Sequence, residues 1–203
     1  MSEVLLTIDG EPVYIESTEH LYWTGEFTVD GDGSPRCYGP AGCKPTPLDY
    51  LANSGSPGNW WGIATDNGES DGEPIVQSKK DPYPGLYVST TAYINTGYYY
   101  SDPRHYVDSE EVPFIVIPGN VRSACKGVCK GCRATMTDLK TGKVVESLVA
   151  DIGPTSHMGE ASIACAKFFG IDPSPKSGGS SDEGRWRYDC WPGVAAEGYE
   201  LQS

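Results

Sequence analysis

The stretch "VVESLVADIGPTSHMGEASIACAKFFGID", residues 144–172, decides how the rest of the chain is read. A valine-rich apolar run ends in Asp151, Gly153-Pro154 imposes a turn, and small and apolar residues follow from Glu160 to Phe169. The first run has the β-branched composition of a strand. The second suits a helix opening near Glu160, with Gly170 at the position of a left-handed stop and Pro173 shortly beyond. A strand, a turn and a helix are therefore expected, with two carboxylates facing one cleft. By spacing alone the signal is weak and an ordinary corner, Glu160 capping the helix and Asp151 in a turn, is the commoner reading.

Upstream, "RATMTD" (133–138) and "KVVESLVA" (143–150) around "LKTG" predict a hairpin. "GLYVSTTAYI" (85–94) and "VPFIVIP" (112–118) are two further strand candidates, and "VLLTI", "PVYI" and "EFTVD" predict three strands within residues 3–30. Residues 30–85 are dominated by turn formers, with aromatic residues of their own, the mark of functional loops rather than linkers. The tail, 174–203, reads as a surface wrap pinned by Cys190. No internal repeat and no low-complexity linker interrupts the chain, so residues 1–203 are taken as a single domain. The fold class expected is mainly β: an antiparallel barrel with one or two short helices and long decorated loops.

Composition narrows the function. Asp+Glu number 28 against 15 Lys+Arg, a formal net charge of −13. Nucleic-acid binding is disfavoured, since phosphate neutralisation needs clustered cations. A cationic partner would instead be attracted, although acidity also serves plain solubility. No run approaches the length of a membrane-spanning helix, and no membrane partner is expected. A monomer is expected, as the sequence has neither a coiled-coil pattern nor a long apolar edge.

Seven cysteines are many for a reducing compartment, and disulfides are the simplest expectation, with the pairing unreadable from sequence. The N-terminal "MSEVLLTIDGEPVYIE" lacks the basic start and long apolar core of a signal peptide. An extracellular protein is nonetheless expected, by a trimmed leader or by another route such as host lysis. "CKGVCKGC" (125–132) has the C-x3-C-x2-C spacing of a radical iron–sulfur motif, but the segment after it does not supply alternating strands and helices. A zinc site would need a fourth ligand, and His20, His105 and His157 are scattered. "VDGDG" (29–33) starts like a calcium loop, but Ala41 stands where the bidentate glutamate belongs. No metal and no organic cofactor is expected. Cys165 has no orienting partner in sequence and reads as a core residue.

Four segments in order, "LYVSTTAY", "HYVDSEEVPFIVIP", "ATMTDLKTGKVVESLVADIGP" and "GEASIACAKFFGI", resemble the core of the glycoside hydrolase family 75 chitosanases. The likeness covers about residues 86–171, with a weaker match at "FTVDGDG" (27–33); residues 1–85 and 172–203 flank this core. The resemblance implies inverting endo-hydrolysis of β-1,4-linked glucosamine polymers, chitosan and chito-oligosaccharides, with Glu160 as general acid and Asp151 as general base. The strand, D-x-x-P and helix succession is also similar to expansin-like sugar-active barrels, which implies a six-stranded double-psi-like β-barrel and leaves a non-catalytic polysaccharide binder as the alternative. Asp30 and Asp32 are candidates for binding the ammonium groups of the substrate. Trp60, Trp61 and Tyr38 are candidate sugar-stacking faces, loop bracing being the commoner role for such residues. One tension stands: a helix N-terminus favours ionised Glu160, whereas a general acid must hold its proton.

Overall fold

The computed structural model describes residues 2–16 and 19–203. They form a mainly β protein with two short α-helices. Strands β1 (Ser2–Ile8) and β2 (Glu11–Glu16) pair antiparallel. Asp9 and Gly10 between them both adopt positive φ, 50° and 90°, the conformation of a two-residue turn whose twist matches the flanking strands. Strand β3 (His20–Gly25) pairs with β2, and β4 (Thr28–Asp30) follows after only Glu26 and Phe27. The irregular segment 31–113 holds the small hairpin β5 (Gly55–Ser56) and β6 (Asn59–Trp60). Then come β7 (Phe114–Pro118), α1 (Gly119–Ala124), β8 (Cys132–Asp138), β9 (Val144–Gly153), β10 (Glu160–Ser162), α2 (Ile163–Phe169) and β11 (Trp186–Ala195).

Nine strands form one mixed sheet in the order β1-β2-β3-β11-β8-β9-β7-β10-β4. Only β7–β9 and β10–β4 run parallel. The hydrogen-bonded ladder is open, with β1 and β4 at its ends. Strand β7 is buried along its whole length: Ile115 and Ile117 enter the main core, while Phe114 and Val116 enter a second cluster with Leu148 and Ala150. Its unbroken apolar run is what a strand covered on both faces requires.

The expected tail wrap is corrected by β11, which lies inside the sheet between β3 and β8. "WRYDC" alternates, and Trp186, Tyr188 and Cys190 are fully buried while Arg187 and Asp189 face the other way and pair with each other at 2.7 Å. Trp23 stacks on Tyr188 at 5.4 Å, and Phe27 and Phe169 meet Trp186 edge-on at 5.3 and 5.1 Å. Phe169 thereby docks α2 on the sheet, and truncating Trp186 to alanine would cost about 3–5 kcal/mol.

Three further differences bear on the sequence reading. The segment 85–94 is not a strand; it contributes only the isolated bridges Val76–Tyr87, Ile63–Ser89 and Ile94–Tyr106, because its neighbours are irregular loops that offer no continuous edge. Strand β3, "HLYWTG", lies between the expected strands "PVYI" and "EFTVD" and is an additional strand, whose Leu21 and Trp23 anchor the core. The helix begins at Ile163 rather than at Glu160; Ser162 caps it by accepting the Cys165 N–H at 3.3 Å, and Gly170 ends it in the left-handed conformation.

All seven cysteines are free thiols. Cys129 and Cys132 bring their sulfurs to 3.6 Å, well beyond the bond length of about 2.05 Å.

Candidate functional site

The register between β7 and β9 slips by one residue: Ile115 faces Val149, but Val116 faces Asp151. Ala150 is therefore the extra residue of a β-bulge. Without it Asp151 would share the face of Val149 and point into the main core. With it, Ala150 joins the second cluster, Asp151 opens beside Val116, and Ile152 returns to the main core.

Glu160 arrives from a different strand. Ala161 of β10 is fully buried in the main core, so Glu160 and Ser162 project to the opposite face. Ser162 accepts the Phe114 N–H at 3.1 Å, and Glu160 enters the cleft. Gly153 makes room for it: a Cβ there would lie 3.1 Å from Glu160 Oε2 and 2.9 Å from Val116 Cγ1. Because β7 lies between β9 and β10, the Asp151 and Glu160 backbones are about two strand spacings apart, roughly 9–10 Å. Their side chains project into one cleft from that span.

Asp30 joins from β4, where it faces Ser162. Its Oδ1 accepts the Asp32 N–H at 2.8 Å, and Asp32 Oδ1 accepts the Tyr38 hydroxyl at 2.6 Å. A buried fifth carboxylate, Asp49, accepts the Tyr50 N–H at 2.7 Å and two contacts from Asn53 Nδ2 at 3.0 and 2.9 Å. These five acids, with Trp61 and Pro154 at the margin, line a cleft of about 450 Å³, and the lining contains no lysine, arginine or histidine.

The absence of a cation from that lining governs the electrostatics. Burial, then the charge of Asp151, pushes Glu160 up to about 7. Burial and the charge of Asp30 push Asp151 up further, to about 8, even though N–H donors from Ile152 at 2.8 Å and Ala92 at 3.0 Å on its Oδ1 oppose the rise. Asp30 is raised by burial and by Glu160, and Asp32 by burial and by Asp30. Near neutrality the cluster retains protons as a coupled set. Among the described residues no hydrogen-bond donor reaches the Glu160 carboxylate, whereas Asp151 has two. Glu160 is also not the helix cap: it opens β10, three residues before α2 begins at Ile163, and Ser162 takes the capping role.

Of the residues singled out in the sequence, the cleft gathers Asp30, Asp32, Tyr38, Trp61, Asp151 and Glu160. Tyr38 is buried and offers Asp32 its hydroxyl, so it serves as a brace rather than a stacking face. Trp60 is likewise buried, packed with Cys37, Tyr38 and Ile63 outside the cleft wall. Asp49 and Asn53 escaped the sequence reading; "DYLAN" is an unremarkable loop segment until the fold carries it over the sheet. Among the described residues no set of three or more His, Cys, Asp or Glu has the arrangement of a metal site. Compared with models of known protein families and with curated proteins, the chain matches none.

Proposed function

We propose that the protein is an inverting endo-chitosanase of the glycoside hydrolase family 75 type. The observation that carries this reading is the cation-free cleft in which Asp151 and Glu160 project from strands two spacings apart, beside Asp30, Asp32 and Asp49. Chitosan carries ammonium groups, and such a cleft binds them by charge-assisted hydrogen bonds. Glu160, raised by burial and unopposed by donors, holds the proton that passes to the glycosidic oxygen as the C1–O bond breaks. Asp151, raised further than Glu160 in the free protein, becomes the base once bound ammonium groups lower it. Its two N–H donors then support the carboxylate, which takes a proton from water attacking C1 on the opposite face. Substrate ammonium groups at Asp30 and Asp32 lower the pKa of the neighbouring Asp151 and so favour its basic form.

The double-psi-like barrel belongs to the same proposal. The two-residue link between β3 and β4 lets them act as one bent strand, and six staves then follow: β3–β4, β11, β8, β9, β7 and β10. A single main core drawing on all six supports that closure. An extracellular monomer is proposed with it.

The test is release of reducing ends from highly deacetylated chitosan, with product sizing and polarimetry for anomeric configuration. Short oligomers of inverted configuration are expected, with Asp151→Asn and Glu160→Gln each slower by about 10²–10⁴-fold. Retention on chitosan without cleavage by the intact protein would instead identify an expansin-like binder.

A further inference from the structure

The cleft does not end at Trp61. The same indole forms one wall of a neighbouring hollow of about 300 Å³, which Trp60, Thr65, Glu69, Tyr100 and Tyr106 help to line. Two separate concavities thus meet at one aromatic ring. Trp61 is 62% exposed, yet its Nε1 donates to the Asn53 carbonyl at 2.9 Å. Tyr100 is 41% exposed, and its hydroxyl donates to the Asp66 carbonyl at 3.0 Å. Tyr106 in turn donates to the Tyr100 carbonyl at 2.9 Å. Exposed aromatic side chains normally sample several rotamers and lose that freedom on binding. Here each polar tip is tied to a backbone carbonyl on another part of the loop segment, so the rings are held in place before any ligand arrives. The lining of this hollow also contains an acid, Glu69, and no lysine or arginine.

We propose that this hollow is the distal part of the same glycan groove: Trp61 and Tyr100 stack on pyranose rings to one side of the cleaved bond, and Glu69 pairs with an ammonium group there. This rests on the chitosanase reading of the carboxylate cleft. The occupant is the continuing polymer chain, because the wall is shared with that cleft and the charge is of the same sign. Neither Tyr100 nor Glu69 touches the reacting bond; both act on substrate length.

The test uses the full chain and chito-oligosaccharides from the shortest cleaved up to long polymer. In Tyr100→Ala, kcat/KM on long substrate is expected to fall about tenfold through KM, with the shortest oligomer changed less than about twofold. Tyr100→Phe, which keeps the ring and loses the tip hydrogen bond, should retain most of the length preference, and Glu69→Gln should weaken it at low salt only. Titration of the same oligomers into the Glu160→Gln protein reads the groove without cleavage. Equal losses at every length, or none, would overturn the groove while leaving the cleavage reading intact. Length-dependent affinity that Tyr100→Ala abolishes, in a protein that cleaves nothing, would support the groove and remove the enzyme.

Discussion

Asp138 and Asp151 stand on the same β8–β9 hairpin, one at its turn and the other at its open end, and their surroundings are opposite. Asp138 accepts both arms of the Arg185 guanidinium at 2.9 Å, the Thr141 hydroxyl at 2.9 Å and the Lys140 N–H at 3.0 Å. Arg185 therefore holds its carboxyl well below the usual carboxylate range. Asp151 has two N–H donors and no cation, and burial with the Asp30 charge pushes it up. Glu110, with Arg36 and Ser34, and Asp189, with Arg187, follow the first pattern. These acids are paired with a cation and the five in the cleft are not, although Asp108, outside the cleft, is also raised by burial, to about 6, without an ion pair among the described residues. Carboxylates kept together without counter-ions oppose folding, so such a cluster points to a ligand that supplies the positive charge.

This contrast can be broken most severely at Asp138. Arg185→Ala should destabilise by about 2–3 kcal/mol at neutral pH by stranding a buried carboxylate. Asp138 has a depressed pKa in the fold, so its contribution is present above the unfolded value and is lost as pH falls through the folded one. The gap between variant and parent in urea unfolding should therefore shrink in strong acid. A gap independent of pH would mean that the pair matters through packing alone.

Glu160 sharpens the comparison from the other side, with the opposite sign. Its folded pKa is raised from 4.5 to about 7, so its favourable contribution is complete below the unfolded value and lost as pH rises through about 7. Glu160→Gln should thus match the parent near pH 4 and exceed it by about 3 kcal/mol above pH 7. At roughly 2–4 °C per kcal/mol, that is a gain of several degrees in Tm at alkaline pH. A Glu160→Gln protein no more stable than its parent there would show that the cleft is not electrostatically costly.

The smallest effect is protonic. Calorimetric titration of a chito-oligosaccharide into the Glu160→Gln protein, in buffers of different ionisation enthalpy at about pH 6.5, should show release of up to about one proton. Cationic sugars lower the pKa values of Asp30, Asp32 and Asp151, and protons leave. Uptake, or no exchange, would show that the acids bind the sugar without changing ionisation.

Much of this arrangement was legible in the chain. The hairpin 133–150 and the buried run of β7 stand out because periodicity and turn chemistry are local; the "ADIGP" and "GEAS" acids stand out only through the resemblance, since their spacing alone suits an ordinary corner. Strands β1 and β2 were expected from "VLLTI" and "PVYI", and the structure joins them into a hairpin through Asp9-Gly10. Strand β11 carried its signal too, in the alternation of "WRYDC", but the Ser- and Gly-rich stretch before it masked a central strand as a tail. Segment 85–94 failed in the reverse direction: its composition suits a strand, yet no edge is available for it to extend.

By itself, then, the sequence determined a β-rich chain, its hairpins, an acidic balance and the two carboxylates that bracket a Gly-Pro turn. Only the tertiary structure decided that Asp151 leaves the core, because that depends on one bulged residue in a pairing with a strand some 35 positions away. It alone placed Glu160 in a strand, brought Asp30, Asp32 and Asp49 beside the pair, and kept every cation out. Local propensity has a range of a few residues, whereas register, burial and the charges of neighbours are set by segments far apart in the chain.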